Sequence, residues 1–342
     1  MLHRETVIIA MIIMILAFMT EIDASIAFTE QNNRPMRIIV SIEILKTIIS
    51  PILSGVGEVY SIVSEDAEPH SFTLTPNAIS YVSESDLIVV TGHMEWEEKL
   101  IEETAKVKGV SASSISINLL KLNGIRILDL DGEKNLHGFW LLPDNALLIA
   151  REVKERILKI RPDLSQRIIE NYEKFEREVL SLKDFLSGLS NRYNARDRSV
   201  AIGFYAEQYV AEAVGLKVSS ALIGEGEVLH PETLRGIYER PREYACIIVS
   251  DVAILMENVK RALEEISEKT GCPIAYVLAV SSFGLDKYSS VMYYNAGQIY
   301  SALLAVRSPA SSRSDTYFFI ITALLIVIAF ETIFIVRRRI RV

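Results

Sequence analysis

Short apolar runs alternate with amphipathic stretches along most of this 342-residue chain. Short apolar runs bounded by turn residues are typical of strands buried in a parallel sheet, and the amphipathic stretches between them are typical of crossover helices. The first half has such runs at residues 37–41, 59–64, 87–91 and 125–128, and the second half at 200–204, 244–249 and 274–280. The pattern predicts an α/β protein with two lobes, each built on a mainly parallel sheet with flanking helices.

A long helical stretch lies between the two halves. Residues 144–160 and 164–186 both have helical periodicity, and Pro162 between them is typical of the first turn of a helix. Apolar residues form one stripe along the second helix, and charged residues cover its other face. A helix of this length spans about 35 Å, enough to join two lobes rigidly. The predicted division is an N-terminal α/β lobe at 36–160, a connecting helix at 161–190 and a C-terminal α/β lobe at 191–307.

Both ends of the chain contain apolar segments. Arg4 precedes an apolar run, and small residues follow at 25–27, so residues 1–27 are predicted to be a signal peptide, with an uncleaved anchor as the alternative. After a short tether at 308–316, residues 317–336 have the length and hydropathy of a transmembrane helix, and the basic tail 337–342 should face the cytoplasm. These segments predict a single-pass cell-membrane protein with an extracellular body and a cytoplasmic C-terminus.

Composition and motifs exclude several functions. The formal net charge of −8 argues against a nucleic-acid partner. The sequence lacks a G-x-S-x-G elbow, an H-E-x-x-H pair and a P-loop, so we do not expect an enzyme. Cys246 and Cys272 are the only cysteines; they can pair in an oxidising compartment or remain buried thiols, and the sequence leaves both alternatives open.

Two histidines stand where ligands are expected. His70 follows the strand-like run 59–64, and the carboxyl ends of strands are where open α/β sheets present binding groups. His137 lies in a loop just before a predicted helix. Neutral imidazoles combined with a carboxylate suit Zn²⁺, and also Mn²⁺ or Fe²⁺ when carboxylates contribute. A single histidine is more often structural, so only the combination of these residues indicates a metal site.

The order and spacing of several segments resemble a known family, the extracellular solute-binding proteins of zinc/manganese ABC importers, which are related to the metal-binding lipoprotein adhesins. The resemblance covers about residues 37–305. It implies two lobes joined by a rigid helix, a divalent metal ion held in the cleft between them, and an ABC permease as partner. The segments are Ala67-Glu68-Pro69-His70-Ser71-Phe72, Ser85-Asp86-Leu87-Ile88-Val89-Val90-Thr91-Gly92, Trp140-Leu141-Leu142-Pro143-Asp144-Asn145-Ala146, Tyr209 through Val214-Gly215-Leu216, and Tyr288 through Met292-Tyr293-Tyr294-Asn295.

The resemblance also implies four ligand positions. The first matches His70, and the second falls on Gly138, so that a one-residue bulge is needed to bring His137 there. The third position falls on Phe204 and the fourth near Ala279, neither of which offers a ligating side chain. The first-lobe half of the site is therefore expected, and the second-lobe half is missing from its usual positions.

Two further residues are candidates to complete the site. His93 follows the run 87–91 and is expected near the same sheet edge as His70, and Glu207 lies about one helical turn after Phe204. We expect a site of His70, His137, His93 and Glu207 that binds zinc or manganese. The predicted function is a membrane-anchored extracellular solute-binding protein that captures a divalent transition metal for ABC-type import. The alternative is a degenerate family member without a metal site, acting as a surface adhesion or interaction module or binding another ligand.

Overall fold

The computed structural model describes residues 34–65, 67–130, 132–223 and 231–305. Its first sheet has four parallel strands in the order β2-β1-β3-β4. The two central strands, β1 and β3, are almost entirely buried because helices cover both faces of the sheet. The strands are β1 (Met36–Val40), β2 (Gly57–Ser61), β3 (Leu87–Val90) and β4 (Ser116–Asn118).

Five helices and a hairpin accompany this sheet. The chain turns sharply after the third helix because Gly109 adopts a left-handed conformation with φ of 66°. The hairpin strands pair antiparallel with each other, outside the main sheet. The elements are α1 (Lys46–Leu53), α2 (Pro76–Ser83), α3 (Glu95–Lys108), α4 (Ala112–Ile115), β5 (Leu128–Leu130), β6 (Glu133–Asn135) and α5 (Pro143–Ile160).

A 28-residue helix, α6 (Ser165–Arg192), connects the two halves. It is about 42 Å long at the usual rise per residue. One face of the helix is buried against α1 and α5 of the first lobe and against the last helix of the second lobe. Its fully or nearly buried apolar residues are Ile168, Tyr172, Phe175, Val179, Leu182 and Leu186.

The second sheet also has four parallel strands, in the order β10-β9-β7-β8. Its central strand β9 is buried along its whole length, like β3 of the first lobe. The elements are β7 (Ser199–Ile202), α7 (Glu207–Ala213), β8 (Lys217–Ala221), α8 (Pro231–Glu239), β9 (Ile247–Ser250), α9 (Asp251–Leu255), α10 (Glu257–Thr270), β10 (Ile274–Val277) and α11 (Tyr288–Leu304). Cys246 and Cys272 are both buried in this lobe.

The prediction of an α/β fold with two mainly parallel sheets is confirmed, with three local differences. The run 125–128 does not join the first sheet, because Leu128–Leu130 pairs with the hairpin strand β6 instead. The edge strands β4 and β8 were not predicted, because their sequences contain too few apolar residues to form a run. The apolar periodicity of residues 252–270 predicts one helix, but the structure has two, since Met256 between them has an extended conformation.

Buried hydrogen bonds join the two lobes. The indole Nε1 of Trp140 donates to the carbonyl oxygen of Ala279 at 2.9 Å, and the hydroxyl of Tyr288 donates to the carbonyl oxygen of Leu141 at 2.7 Å. The hydroxyl of Tyr209 in α7 donates to the carbonyl oxygen of Asn135 at 2.5 Å. These contacts hold the two lobes against each other across the cleft.

The predicted terminal segments lie outside the described residues. These are the signal peptide 1–27, the tether 308–316, the transmembrane helix 317–336 and the basic tail 337–342. Within the parts of residues 34–305 that the structure describes, no helix combines the length and the apolar character needed to cross a membrane.

Candidate metal centre

The loop after β2 holds His70 in a fixed orientation. Pro69 begins a short 3₁₀ turn, and the carboxylate of Glu68 caps it by accepting from the backbone N–H groups of His70 at 2.9 Å and Ser71 at 2.6 Å. The same carboxylate lies 2.7 Å from Nδ1 of the His70 ring. Burial acts to raise the pKa of Glu68, but these hydrogen bonds lower it to about 2. An ionised Glu68 accepts a hydrogen bond from the Nδ1–H of His70, which leaves the Nε2 lone pair of His70 available for a metal ion.

A buried carboxylate also orients His93, at the end of β3. Glu97 in α3 accepts hydrogen bonds from the backbone N–H groups of Thr91, Gly92 and Met94 at 2.7–3.2 Å, and from the Thr91 hydroxyl at 2.8 Å. Because that hydroxyl has a single proton, directed at Glu97, its oxygen accepts from Nδ1 of His93 at 2.8 Å. The neutral His93 ring therefore carries its proton on Nδ1 and has a free lone pair on Nε2.

The third imidazole, His137, follows the hairpin strand β6. Asn135 fixes its backbone: the Asn135 side-chain oxygen accepts from the His137 N–H at 3.0 Å, and its nitrogen donates to the Tyr205 carbonyl at 2.8 Å. Gly138 then turns the chain with φ of 90°, and a Cβ there would lie only 2.8 Å from the carbonyl oxygen of Ala206. A glycine is thus required where the first-lobe backbone meets the second lobe. The Nδ1 atom of His137 is buried and has no hydrogen-bond partner among the described residues.

The three imidazoles, called the imidazole cluster below, converge on one point. The ring centroids of His70 and His93 lie 5.2 Å apart, those of His70 and His137 5.2 Å, and those of His93 and His137 4.9 Å. One nitrogen of each ring lies within 4.8 Å of the others. The Nε2 atoms of His70 and His137 are 3.3 Å apart, close to the roughly 3.3–3.4 Å that two nitrogens show across a tetrahedral zinc ion with ordinary bond lengths.

Burial keeps two of the three rings, His93 and His137, neutral. Desolvation, together with the neighbouring rings of His137 and His70, lowers the pKa of His93 to about 2. Desolvation and the His70 ring also lower the pKa of His137 to about 4. Neutral imidazoles present lone pairs, and a metal ion needs them in that form.

The second lobe covers the cluster with apolar side chains. The ring of Phe204 meets that of His137 edge to face, with centroids 5.2 Å apart. Val252 and Val280 complete what we call the apolar cover, and Ala279 contributes only its carbonyl oxygen, which accepts from Trp140. The space left between cluster and cover is about 20 Å³, enough for one water-sized occupant.

Glu207 is not brought to the imidazole cluster. It is fully buried in the first turn of α7, where its carboxylate accepts from the backbone N–H of Phe204 at 2.8 Å and of Ser250 at 2.6 Å. Burial raises its pKa to about 7, and these hydrogen bonds reduce the shift. The carboxylate therefore ties together the ends of β7 and β9, and the structure gathers only three of the four expected ligands.

Sequence reasoning missed two carboxylates that shape the site. Glu97 holds the loop that carries His93. Asp251 is its counterpart in the second lobe, where it accepts from the backbone N–H groups of Ala279 at 2.8 Å and Ser281 at 2.6 Å. Burial raises the pKa of Asp251. The signal available in the sequence is an acidic residue in the first turn of a helix that follows a strand. The N–H groups that these carboxylates bind lie in loops outside those helices.

Comparisons with known proteins agree with this architecture. The family model of the zinc-uptake complex component A, periplasmic, matches residues 38–302. The manganese ABC transporter substrate-binding lipoprotein PsaA of Streptococcus pneumoniae is 22% identical over 290 residues, covering 80% of this chain and 90% of the relative. The metal ABC transporter substrate-binding lipoprotein of Lactococcus lactis is 22% identical over 288 residues, covering 80% and 89%.

Solved structures of similar proteins have the same fold. The FpvC protein of Pseudomonas aeruginosa in complex with Mn²⁺ superposes with a TM-score of 0.64 at 20% identity, covering 79% of this chain and 98% of that one. A crystal structure of ZnuA superposes with a TM-score of 0.66 at 18% identity, covering 79% and 100%.

The predicted localisation is corrected by these findings. A single-pass protein with a C-terminal helical anchor, an extracellular body and a cytoplasmic tail was expected from residues 317–336. The relatives are named as lipoproteins, and the described part of the chain contains no helix that could span a membrane.

The resemblance seen in the sequence is itself confirmed, because the family match extends over most of the chain: this protein belongs to the zinc-uptake component A family of metal solute-binding proteins.

Proposed function

We propose that this protein captures a divalent transition metal ion and delivers it to the permease of an ABC importer. The observation that carries the proposal is the imidazole cluster, in which one nitrogen from each of His70, His93 and His137 lies within 4.8 Å of the others. Family membership supports the same role, since its relatives are named as manganese or metal ABC transporter substrate-binding proteins.

All three proposed ligands come from the first lobe. His70 follows β2, His93 follows β3, and His137 follows the hairpin, whereas the second-lobe residues that the structure describes add the apolar cover and no ligating side chain. The proposed site therefore consists of three histidines, without the Glu207 carboxylate of the four-residue site expected from the sequence. The division into lobes at 36–160 and 191–307 with a connecting helix at 161–190 is part of this proposal.

Binding is favoured over catalysis. A hydrolytic zinc site needs an open coordination position and a general base. Here Phe204 and the two valines of the apolar cover line the space beside the imidazole cluster, and the Glu68 carboxylate is held by the His70 ring and two backbone N–H groups.

One observation favours the alternative, a family member that holds no metal. The second-lobe positions where the resemblance implies ligands are occupied by Phe204 and Ala279, and both are buried and apolar. In that case the imidazole cluster would be a structural hydrogen-bonded group, with His137 Nε2 sharing its proton with His70 Nε2 across 3.3 Å.

Metal-dependent melting of the full chain distinguishes the two functions. The protein is stripped with chelator, and its metal content and melting temperature are measured before and after Zn²⁺ or Mn²⁺ is added. Binding to the folded state should stabilise the protein by about 2.7 kcal/mol at a hundredfold excess over Kd. We expect one equivalent of metal and a clear upward shift that His70→Ala removes. The melting curve of His70→Ala without metal shows whether this variant folds. A wild-type protein with no bound metal and no shift in melting temperature would favour the alternative.

A further inference from the structure

One residue outside the imidazole cluster contacts the turn that carries His70 at both of its ends. Trp96 lies in the first turn of α3, and its indole Nε1 donates to the carbonyl oxygen of Pro69 at 2.9 Å. Its ring also packs against that of Phe72, with centroids 4.7 Å apart and the planes tilted by 55°. Pro69 directly precedes His70, and Phe72 follows the 3₁₀ turn as its C-cap. The two contacts of Trp96 therefore flank the histidine on both sides.

The turn has few other attachments to the first lobe. The Glu68 carboxylate caps it, but Glu68 belongs to the same loop and cannot fix the position of that loop in the lobe. Among the described residues, the other hydrogen-bond contact from residues 68–72 to a distant part of the chain joins the His70 ring to His137 at 3.3 Å. The indole N–H of Trp96 is therefore the hydrogen bond by which a helix holds the backbone of this loop.

The next residue of α3 holds the second ligand loop. Glu97 accepts from backbone N–H groups of the segment that carries His93. The strands that lead to the two loops, β2 and β3, do not pair with each other, because β1 lies between them in the sheet. Consecutive residues in one helical turn, Trp96 and Glu97, therefore hold the loops of His70 and His93 relative to each other.

Resting on the proposed function, we propose that Trp96 is a positioning residue, which sets where the His70 imidazole lies relative to His93. The indole nitrogen is a donor only, so Trp96 acts through His70 and is not itself a ligand. A ligand that its surroundings already hold in place loses less conformational freedom when the metal ion binds. Outer-shell partners of metal ligands typically contribute about 10–100-fold to metal affinity.

The first test is a Zn²⁺ titration of the full chain. Trp96→Phe keeps an aromatic ring beside Phe72 and removes the N–H that donates to Pro69, so the Zn²⁺ affinity should fall by about tenfold. Tyr300→Phe is the matched control. It also removes a 2.9 Å hydrogen bond from a buried aromatic side chain to a backbone carbonyl, that of Val214, but in the second lobe. The control should leave the Zn²⁺ affinity unchanged.

The second test needs no metal. Side-chain NMR of chelated, histidine-labelled protein reports the surroundings of each ring in the imidazole cluster, with the His70 signals assigned from His70→Ala. Trp96→Phe should shift the ring signals of His70 more than those of His93, because Glu97 still holds the His93 loop. A tryptophan that only stabilised the fold would shift the two histidines equally or not at all.

The two tests separate this proposal from the proposed function. If Zn²⁺ does not bind the wild-type protein, the proposed function fails, and the NMR signals still decide whether Trp96 positions His70. If Zn²⁺ binds, an unchanged affinity in folded Trp96→Phe, or an equal loss in Tyr300→Phe, overturns the positioning role. Unchanged His70 ring signals overturn it as well. Should Trp96→Phe lose its cooperative melting transition, Phe72→Leu removes the ring contact at the other end of the turn and is tested in the same two ways.

Discussion

The two faces of the cleft are built alike but present opposite chemistry. In each lobe a carboxylate holds the loop that follows a parallel strand, Glu97 in the first lobe and Asp251 in the second. The first-lobe loop carries His93, whereas the second-lobe loop carries Ala279 and Val280. The same structural device therefore fixes a proposed metal ligand on one side and an apolar cover on the other. The loop framework is common to both lobes, and under the proposed function the side chains placed on it decide which lobe supplies the metal ligands.

The strongest test of this asymmetry is truncation of one side chain on each face of the cleft. His93→Ala should weaken Zn²⁺ binding by more than about 100-fold, because it removes one of three donors, a larger loss than that of an outer-shell partner. Val252→Ala in the apolar cover should change the affinity by less than about tenfold, since it removes no donor. Isothermal titration of both variants measures the difference. Equal losses would mean that the second lobe contributes as much to binding as the first.

The two lobes should also respond oppositely to pH in the metal-free protein. Glu207 has a pKa raised from 4.5 to about 7, so the folded state holds a proton that the unfolded state loses, and stability falls as pH rises through this window. The free energy of unfolding should fall by about 2 kcal/mol between pH 5 and pH 7 for this reason. The pKa of His93 is lowered from 6.5 to about 2 and that of His137 from 6.5 to about 4. The stability that these neutral rings contribute to the folded state is therefore present above pH 6.5 and is lost as pH falls.

Chemical denaturation of chelated protein at several pH values measures both effects. Glu207→Gln should remove the loss of stability between pH 5 and pH 7. His93→Ala should reduce the loss of stability below pH 6.5, and the part due to His137 should remain. If both substitutions change the slope of unfolding free energy against pH with the same sign, the contrast between the lobes is contradicted.

A smaller effect is expected when the two loop carboxylates are neutralised. Glu97→Gln and Asp251→Asn should each destabilise the protein by about 1–2 kcal/mol, because buried backbone N–H groups lose a charged acceptor. Only Glu97→Gln should also weaken Zn²⁺ binding, by about tenfold, since Glu97 orients His93 through the Thr91 hydroxyl. Melting curves and titrations of the pair report stability and affinity separately. A tenfold loss of affinity in Asp251→Asn would show that the second-lobe loop also positions the ligands.

The smallest effect should come from the ion pair between the lobes. Arg126 donates to Glu212 at the surface, where both side chains are largely exposed. Such pairs contribute about 0–1 kcal/mol, so Arg126→Ala should leave melting and Zn²⁺ affinity almost unchanged. The buried contacts of Trp140 and Tyr288 should hold the lobes together without it. A large loss of affinity would show that lobe docking depends on this surface contact.

Much of the scaffold could be predicted from local sequence. The central strands β1, β3 and β9 are continuous apolar runs because both faces of a parallel sheet are covered, and the connecting helix has a single apolar stripe because only one face packs. The edge strands β4 and β8 were missed because an edge strand is partly exposed and its sequence can be polar. Glu207 was misplaced because sequence spacing does not show that backbone N–H groups of two strand ends capture its carboxylate.

The sequence by itself determined the two parallel sheets, the connecting helix and the presence of three histidines just after predicted strands or before a helix. Those features depend on the period of the apolar residues and on turn residues, which are local. Only the tertiary structure decided that His70, His93 and His137 meet, because the order β2-β1-β3 and the docking of the hairpin on α7 bring distant loops together. It also decided which ring nitrogens are free and that the second lobe covers them with Phe204, since both depend on contacts between residues far apart in the chain.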